Sequence, residues 1–172
     1  MHRVVVLALE GVIPFELSIP ARIFGSAEHS NGEPLYEVIV CTLDGRPVNS
    51  DAGFAIAVQH DAKTLATADT LVIPPSNALD AIREYGCLPE PLASALALVR
   101  PGTRMVSICT ASYLLAAAGL LDGRPATTHW RVAEHFQRTF PRVKVDRNVL
   151  FVDAGDVLTS AGAAAGWTCA CT

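Results

Sequence analysis

Residues Met105–Leu121 read MVSICTASYLLAAAGLL. The apolar run before the cysteine predicts a buried strand over Arg104–Ile108, and the Ala- and Leu-rich stretch Thr110–Leu121 predicts a helix. Cys109 stands at the junction. Parallel sheets carry their functional groups just beyond the carboxyl ends of the strands, and a strand–turn–helix with a thiol at the turn has the form of a nucleophile elbow. The first N–H groups of the helix and its positive dipole end favour thiolate over thiol there. Against this stands the ordinary fate of a free cysteine, which is to pack as a small buried hydrophobe. Cys41, inside a strand pattern, reads that way.

Working outward, Val4–Leu9 is a first strand, closed by Gly11 and Pro14. In FELSIPARIFGSAEH the residues Leu17, Ala21, Phe24 and Ala27 share one helical face, with Pro20 kinking or restarting the helix. Tyr36–Leu43 and Thr70–Ile73 are further strands, the second stopped by Pro74-Pro75. Pro91–Val99 and Trp130–Phe140 are helices, and Val149–Val152 with Val157–Thr159 form a hairpin around Ala154-Gly155. Strands alternating with helices give an α/β fold, with a mostly parallel sheet and a late antiparallel pair. No linker or repeat divides the chain, so residues 1–172 are expected to be one domain.

Composition supports a buried parallel sheet. Of 172 residues, 51% are hydrophobic and 17% charged, and mean hydropathy is +0.34. Strands apolar on both faces produce such a balance. The net charge is −4 and the 13 Lys and Arg residues form no run, which argues against this chain clamping nucleic acid by itself. No stretch has the length or flanks of a signal peptide or membrane span, so the cytoplasm is the expected compartment and no membrane partner is expected. Five cysteines, odd in number and mostly far apart, read as reduced thiols. The C-x-C pair Cys169 and Cys171 is a poor metal motif, and neither a metal nor another cofactor is expected.

VSICTASYLLAAAGLLDGRPATTHW resembles the signature of the ThiJ/PfpI superfamily, relatives of class I glutamine amidotransferases. FELSIPARIFG, the block ending in ATTHW and LFVDAGDVLTSAGAAAG together are similar to the N-terminal domain of AraC-type transcriptional regulators of actinobacterial type. The resemblance runs from the first strand to Gly166. It implies a flavodoxin-like three-layer sandwich in which Glu16 and His129 approach the elbow cysteine, Cys109. It further implies that Thr159, Ser160 and Gly162 face the thiol across a cleft. Ser76, Thr110 and Trp130 complete the candidate ligand-binding residues, with Tyr113 and Trp130 as an apolar wall. Each has a blander role open to it: Glu16 as a solvated acid in a first helical turn, His129 as a cap, and the aromatics as core.

Four departures bear on chemistry. Thr110 follows the cysteine where the peptidase branch has histidine, which removes an adjacent Cys–His pair. IPPSN replaces the Pro-Gly-Gly of the enzymes; Pro75 has no N–H to give an oxyanion hole, and Ser76 is left to offer one. Ala111 replaces the usual glycine, a mild change. Finally, the sequence GWTCACT stands where relatives continue into an apolar helix, so the family's last helix and any helix-turn-helix domain are expected to be missing.

These features favour a ligand-sensing, dimerising domain of an AraC-type regulator, non-catalytic, with an unknown small-molecule ligand. DNA would be reached only through a helix-turn-helix domain absent from this chain. Homodimerisation follows from the apolar surface that a missing helix leaves. The alternatives are a cysteine-dependent enzyme of the isonitrile hydratase type (those share a CTGS…ATTHW block) or of the glyoxalase/deglycase type, and a cysteine redox sensor.

Overall fold

A computed structural model describes residues 1–162. Strand β1 (His2–Leu7) leads to helix α1 (Pro14–Phe24), followed by β2 (Tyr36–Cys41) and a small hairpin of β3 (Val48–Asn49) and β4 (Ala55–Ile56). Next come β5 (Thr70–Ile73), α2 (Asp80–Tyr85), α3 (Glu90–Leu96), β6 (Arg104–Ile108) and α4 (Ser112–Ala117). The short β7 (Pro125–Ala126), α5 (Ala133–Thr139), the short β8 (Lys144–Val145), β9 (Phe151–Asp153) and β10 (Val157–Ser160) complete the described chain.

The main sheet runs β2-β1-β5-β6-β10-β9. All its pairs are parallel except the last, where Leu158 lies opposite Asp153 and Ser160 opposite Phe151. Alternate strand residues feed two apolar layers. Val5, Leu7, Leu71, Ile73, Met105 and Val157 pack under the helices α2–α5, whereas Val4, Val6, Val72, Val106, Ile108 and Leu158 meet Leu17 of α1. This is the expected α/β sandwich with a mostly parallel sheet and an antiparallel hairpin. Among the described residues no helix is long and apolar enough to cross a membrane.

Several boundaries differ from expectation for local reasons. The helix behind Cys109 opens with a 3-10 turn (Cys109–Ala111) and its α-helical part ends at Ala117, because Gly119 takes φ +75 and breaks the ladder. Trp130–Phe140 likewise divides into a 3-10 turn (Trp130–Val132) and α5. The six-residue α2 and the β3–β4 hairpin are too short to show a period. Pro20 is accommodated inside an unbroken α1, leaving the Glu16 carbonyl without the N–H four residues on. The expectations about the chain's end, Cys169, Cys171 and the small residues 163–166 lie outside the described residues.

Candidate functional site

The carboxyl ends of β1, β5, β6 and β10 lie along one edge of the sheet, and the candidate residues follow them. The loop after β1 is locked to the loop after β5: the Ile13 N–H donates to the Pro75 carbonyl (3.1 Å), and the Asn77 N–H to that of Gly11 (3.1 Å). Gly11 is required, since it has φ +69 and a Cβ there would sit 2.6 Å from Asn77 Cβ. This lock fixes where α1 begins, with Pro14 in its first turn and Glu16 just behind.

Glu16 is not the solvated acid that its place in a first turn allows. It is 8% exposed, and burial raises its carboxyl above the usual range, with the negative charge of Asp51 adding to the effect. An opposing pull comes from a hydrogen bond to its own backbone.

Cys109 opens the 3-10 turn that joins β6 to α4. Its φ of 58 is the one positive value at a non-glycine residue among those described, a conformation that costs about 1–2 kcal/mol. Two hydroxyls hold its carbonyl: Ser112 Oγ donates from the first turn of α4, and Thr128 Oγ1 from the segment before His129, both at 3.3 Å. The thiol is 8% exposed. Burial pushes it up to about 11 and the Glu16 carboxylate adds to the rise; hydrogen bonds from the Thr110 backbone and hydroxyl, and the more distant Arg83 charge, oppose them without prevailing. The helix terminus was expected to favour thiolate. Desolvation decides otherwise, and at neutral pH the group is a thiol.

His129 begins the 3-10 turn Trp130–Val132. Its Nδ1 accepts the Arg131 N–H (3.2 Å), so Nε2 carries the proton of the neutral ring. Burial, then the Arg131 charge, lower its pKa and keep it neutral at pH 7. The ring stacks on Trp130 (centroids 5.7 Å), over which the Arg131 guanidinium also lies (5.1 Å). Among the described residues no hydrogen bond joins His129 to Cys109; the two are coupled through Thr128.

The other candidates separate. Thr110 bonds the sulfur, and Gly162 lies against the His129 ring, where a Cβ would be 3.9 Å from Cδ2. Trp130 stands 66% exposed beside His129. Ser76 spends its hydroxyl on the loops, donating to the Glu10 carbonyl (2.5 Å) and accepting the Ala78 N–H (3.1 Å). Its N–H is not used in the pairing with Val12, whose two bonds run through the flanking residues. Ser160 is fully buried with its hydroxyl on the Ser107 carbonyl (3.5 Å). Thr159 is buried too and accepts the Thr127 N–H (2.8 Å). Tyr113 is no wall of a cleft: it is fully buried on the opposite face of the sheet, against Phe136 and His135. Sequence reasoning missed Asp51, Arg83, Ser112 and Thr128. Only Thr128, in the polar pair directly before His129, left a local signal.

Comparison with known proteins gives the family and the fold. The sequence profile of the DJ-1/PfpI family matches residues 2–170. An uncharacterized protein in the cpoL 5' region of Streptomyces lividans is 37% identical over 81% of this chain and 96% of its own length. The HTH-type transcriptional regulator CdhR of Pseudomonas aeruginosa is 34% identical over 76% of this chain, and an isonitrile hydratase of Pseudomonas putida is 30% identical over 77%. The match spans 38% of CdhR and 56% of the hydratase. Among solved structures, an AraC family transcriptional regulator from Pseudomonas putida shares the fold with a TM-score of 0.75 at 19% identity, over 99% of this chain and 89% of that one.

Proposed function

The chain belongs to the DJ-1/PfpI family, and on that premise we propose that it is the ligand-sensing domain of an AraC-type transcriptional regulator, with Cys109, Glu16 and His129 forming a binding site and no substrate turned over. One observation carries this reading: among the described residues no hydrogen bond joins His129 to the buried Cys109, whose thiol burial, with Glu16 adding, pushes up to about 11. A nucleophilic cysteine needs the opposite, an adjacent base or cation that lowers its pKa. His129 supplies neither, being neutral with its basic nitrogen committed to the Arg131 N–H. What the site offers instead is a set of hydrogen-bond donors and acceptors beside an exposed indole, suited to holding a small molecule.

The regulator relatives support the same assignment, since this chain corresponds to little over a third of their length. In this reading DNA is bound by a separate helix-turn-helix domain, the working form is a homodimer in the cytoplasm, and ligand occupancy is what the protein reports. Light scattering at micromolar concentration is expected to give a dimer; a monomer would remove that part.

A hydratase-type enzyme is the second reading, favoured by the isonitrile hydratase relative. Turnover separates the two. Isonitriles, glyoxals and peptide amides are expected to be unchanged by the purified protein. Turnover that Cys109→Ser abolishes would establish the enzyme. A redox-sensing role is disfavoured by the same neutral thiol, because oxidants attack thiolates.

A further inference from the structure

Ser107 of β6 and Thr159 of β10 are register partners, and strand alternation puts both side chains on the α2–α5 face of the sheet, with Met105 and Val157. The Thr127 N–H donates to Thr159 Oγ1 at 2.8 Å, which sets residue 127 against the Thr159 side chain. All three residues are buried, Ser107 and Thr127 completely. Among the described residues Ser107 Oγ and Thr127 Oγ1 have no hydrogen-bond partner, and no hydrogen bond links any two of the three hydroxyls. The Thr159 hydroxyl accepts in its one recorded bond, so its own proton has no acceptor. Native interiors rarely leave such groups unpaired. Two unpaired buried hydroxyls and a third with a proton to spare, on neighbouring positions of strand and loop, match the roughly three partners that a buried water usually has.

We propose that Ser107, Thr127 and Thr159 bind one ordered water molecule behind the elbow. The water accepts from the Thr159 hydroxyl and exchanges hydrogen bonds with Ser107 and Thr127, using the donor and acceptor capacity that the protein alone leaves unused. It fastens the segment Thr127–His129 to the sheet, next to the Thr128 hydroxyl that holds the Cys109 carbonyl. The site is independent of whether Cys109 binds or reacts, since it lies on the other face of the sheet from the apolar cluster that contains Cys109.

Two measurements test it. A high-resolution crystal structure of the full chain is expected to show a solvent peak within about 3.2 Å of all three hydroxyl oxygens; direct hydroxyl–hydroxyl bonds, or no peak, would overturn the proposal. Ser107→Ala and Thr127→Val, near-isosteric changes, are each expected to lower Tm by roughly 3–6 °C, with the double variant falling by less than the sum because both contact one water. Thr127→Ser is expected to keep the wild-type Tm. If Ser107→Ala or Thr127→Val leaves Tm unchanged or raises it, the hydroxyls are truly unpaired and there is no water site.

Discussion

Glu16 acts on Cys109 as a negative neighbour: its carboxylate, after burial, is the largest influence raising the thiol. Glu16 is itself raised by burial and, to a smaller extent, by Asp51, against the pull of a hydrogen bond to its own backbone. A thiol that keeps its proton is a donor to a ligand, which is a different use of this position from nucleophilic attack.

Alkaline pH should reveal the buried thiols. Cys109 is raised to about 11 and Cys41 to about 12, from an ordinary value of 9.0. For a group whose folded pKa is raised, the stabilisation is complete below the unfolded value and lost as pH rises through the folded one. Wild-type stability should therefore fall between about pH 9 and pH 12, with Cys109 accounting for on the order of 2–3 kcal/mol. Urea unfolding across this range checks it. Cys109→Ser should flatten the first part of the decline, and an identical profile in that variant would contradict the assignment.

Backbone strain at the elbow gives an independent prediction. With φ at 58, Cys109→Gly should be more stable than Cys109→Ala by about 1 kcal/mol, since glycine meets no Cβ clash there. The comparison removes the thiol from both arms. Equal stabilities would mean that the elbow is relaxed in solution.

Gly11→Ala tests the lock between the loops after β1 and β5. The added Cβ would press on Asn77 at a positive φ, and a loss of roughly 2–3 kcal/mol is expected from denaturant midpoints. Because the same lock sets the start of α1, the Cys109 alkylation rate should change along with stability.

His129 is a cap, and caps have measurable worth. His129→Ala should cost about 1 kcal/mol, and His129→Asn, whose side chain also accepts from the turn, should recover most of it in thermal denaturation. The lowered pKa means that its contribution is complete above about pH 6.5 and fades as pH drops through the folded value. An imidazole that acted only as an acid–base group would leave stability unmoved in both variants.

The sheet and the elbow were legible because their signals are local. Val4–Val6, Thr70–Ile73 and Arg104–Ile108 are uninterrupted apolar strands, and a cysteine between strand and helix has few other readings. Glu16 and His129 were placed by resemblance; Glu16 is buried and its charge is felt at the thiol, while His129 is linked to Cys109 through Thr128. Protonation is not legible in the sequence, because a helix terminus is visible there whereas the desolvation that raises the thiol depends on packing. Tyr113 went to the wrong side of the sheet for a related reason: helical spacing gives a face, not the layer that the face meets. The partners Asp51 and Arg83 come from loops and helices far along the chain, which no local pattern joins.

Whether Cys109 is a neutral pocket group or a nucleophile is decided most directly by its ionisation in the folded protein. The rate of iodoacetamide alkylation at Cys109, followed residue by residue by mass spectrometry from about pH 6 upward, reports it. The rate should be low at neutral pH, far below that of the exposed Cys87, and rise toward a midpoint at about 11 that Glu16→Gln lowers. A midpoint below about 7, with fast labelling at neutral pH, would show a stabilised thiolate and contradict the non-catalytic reading.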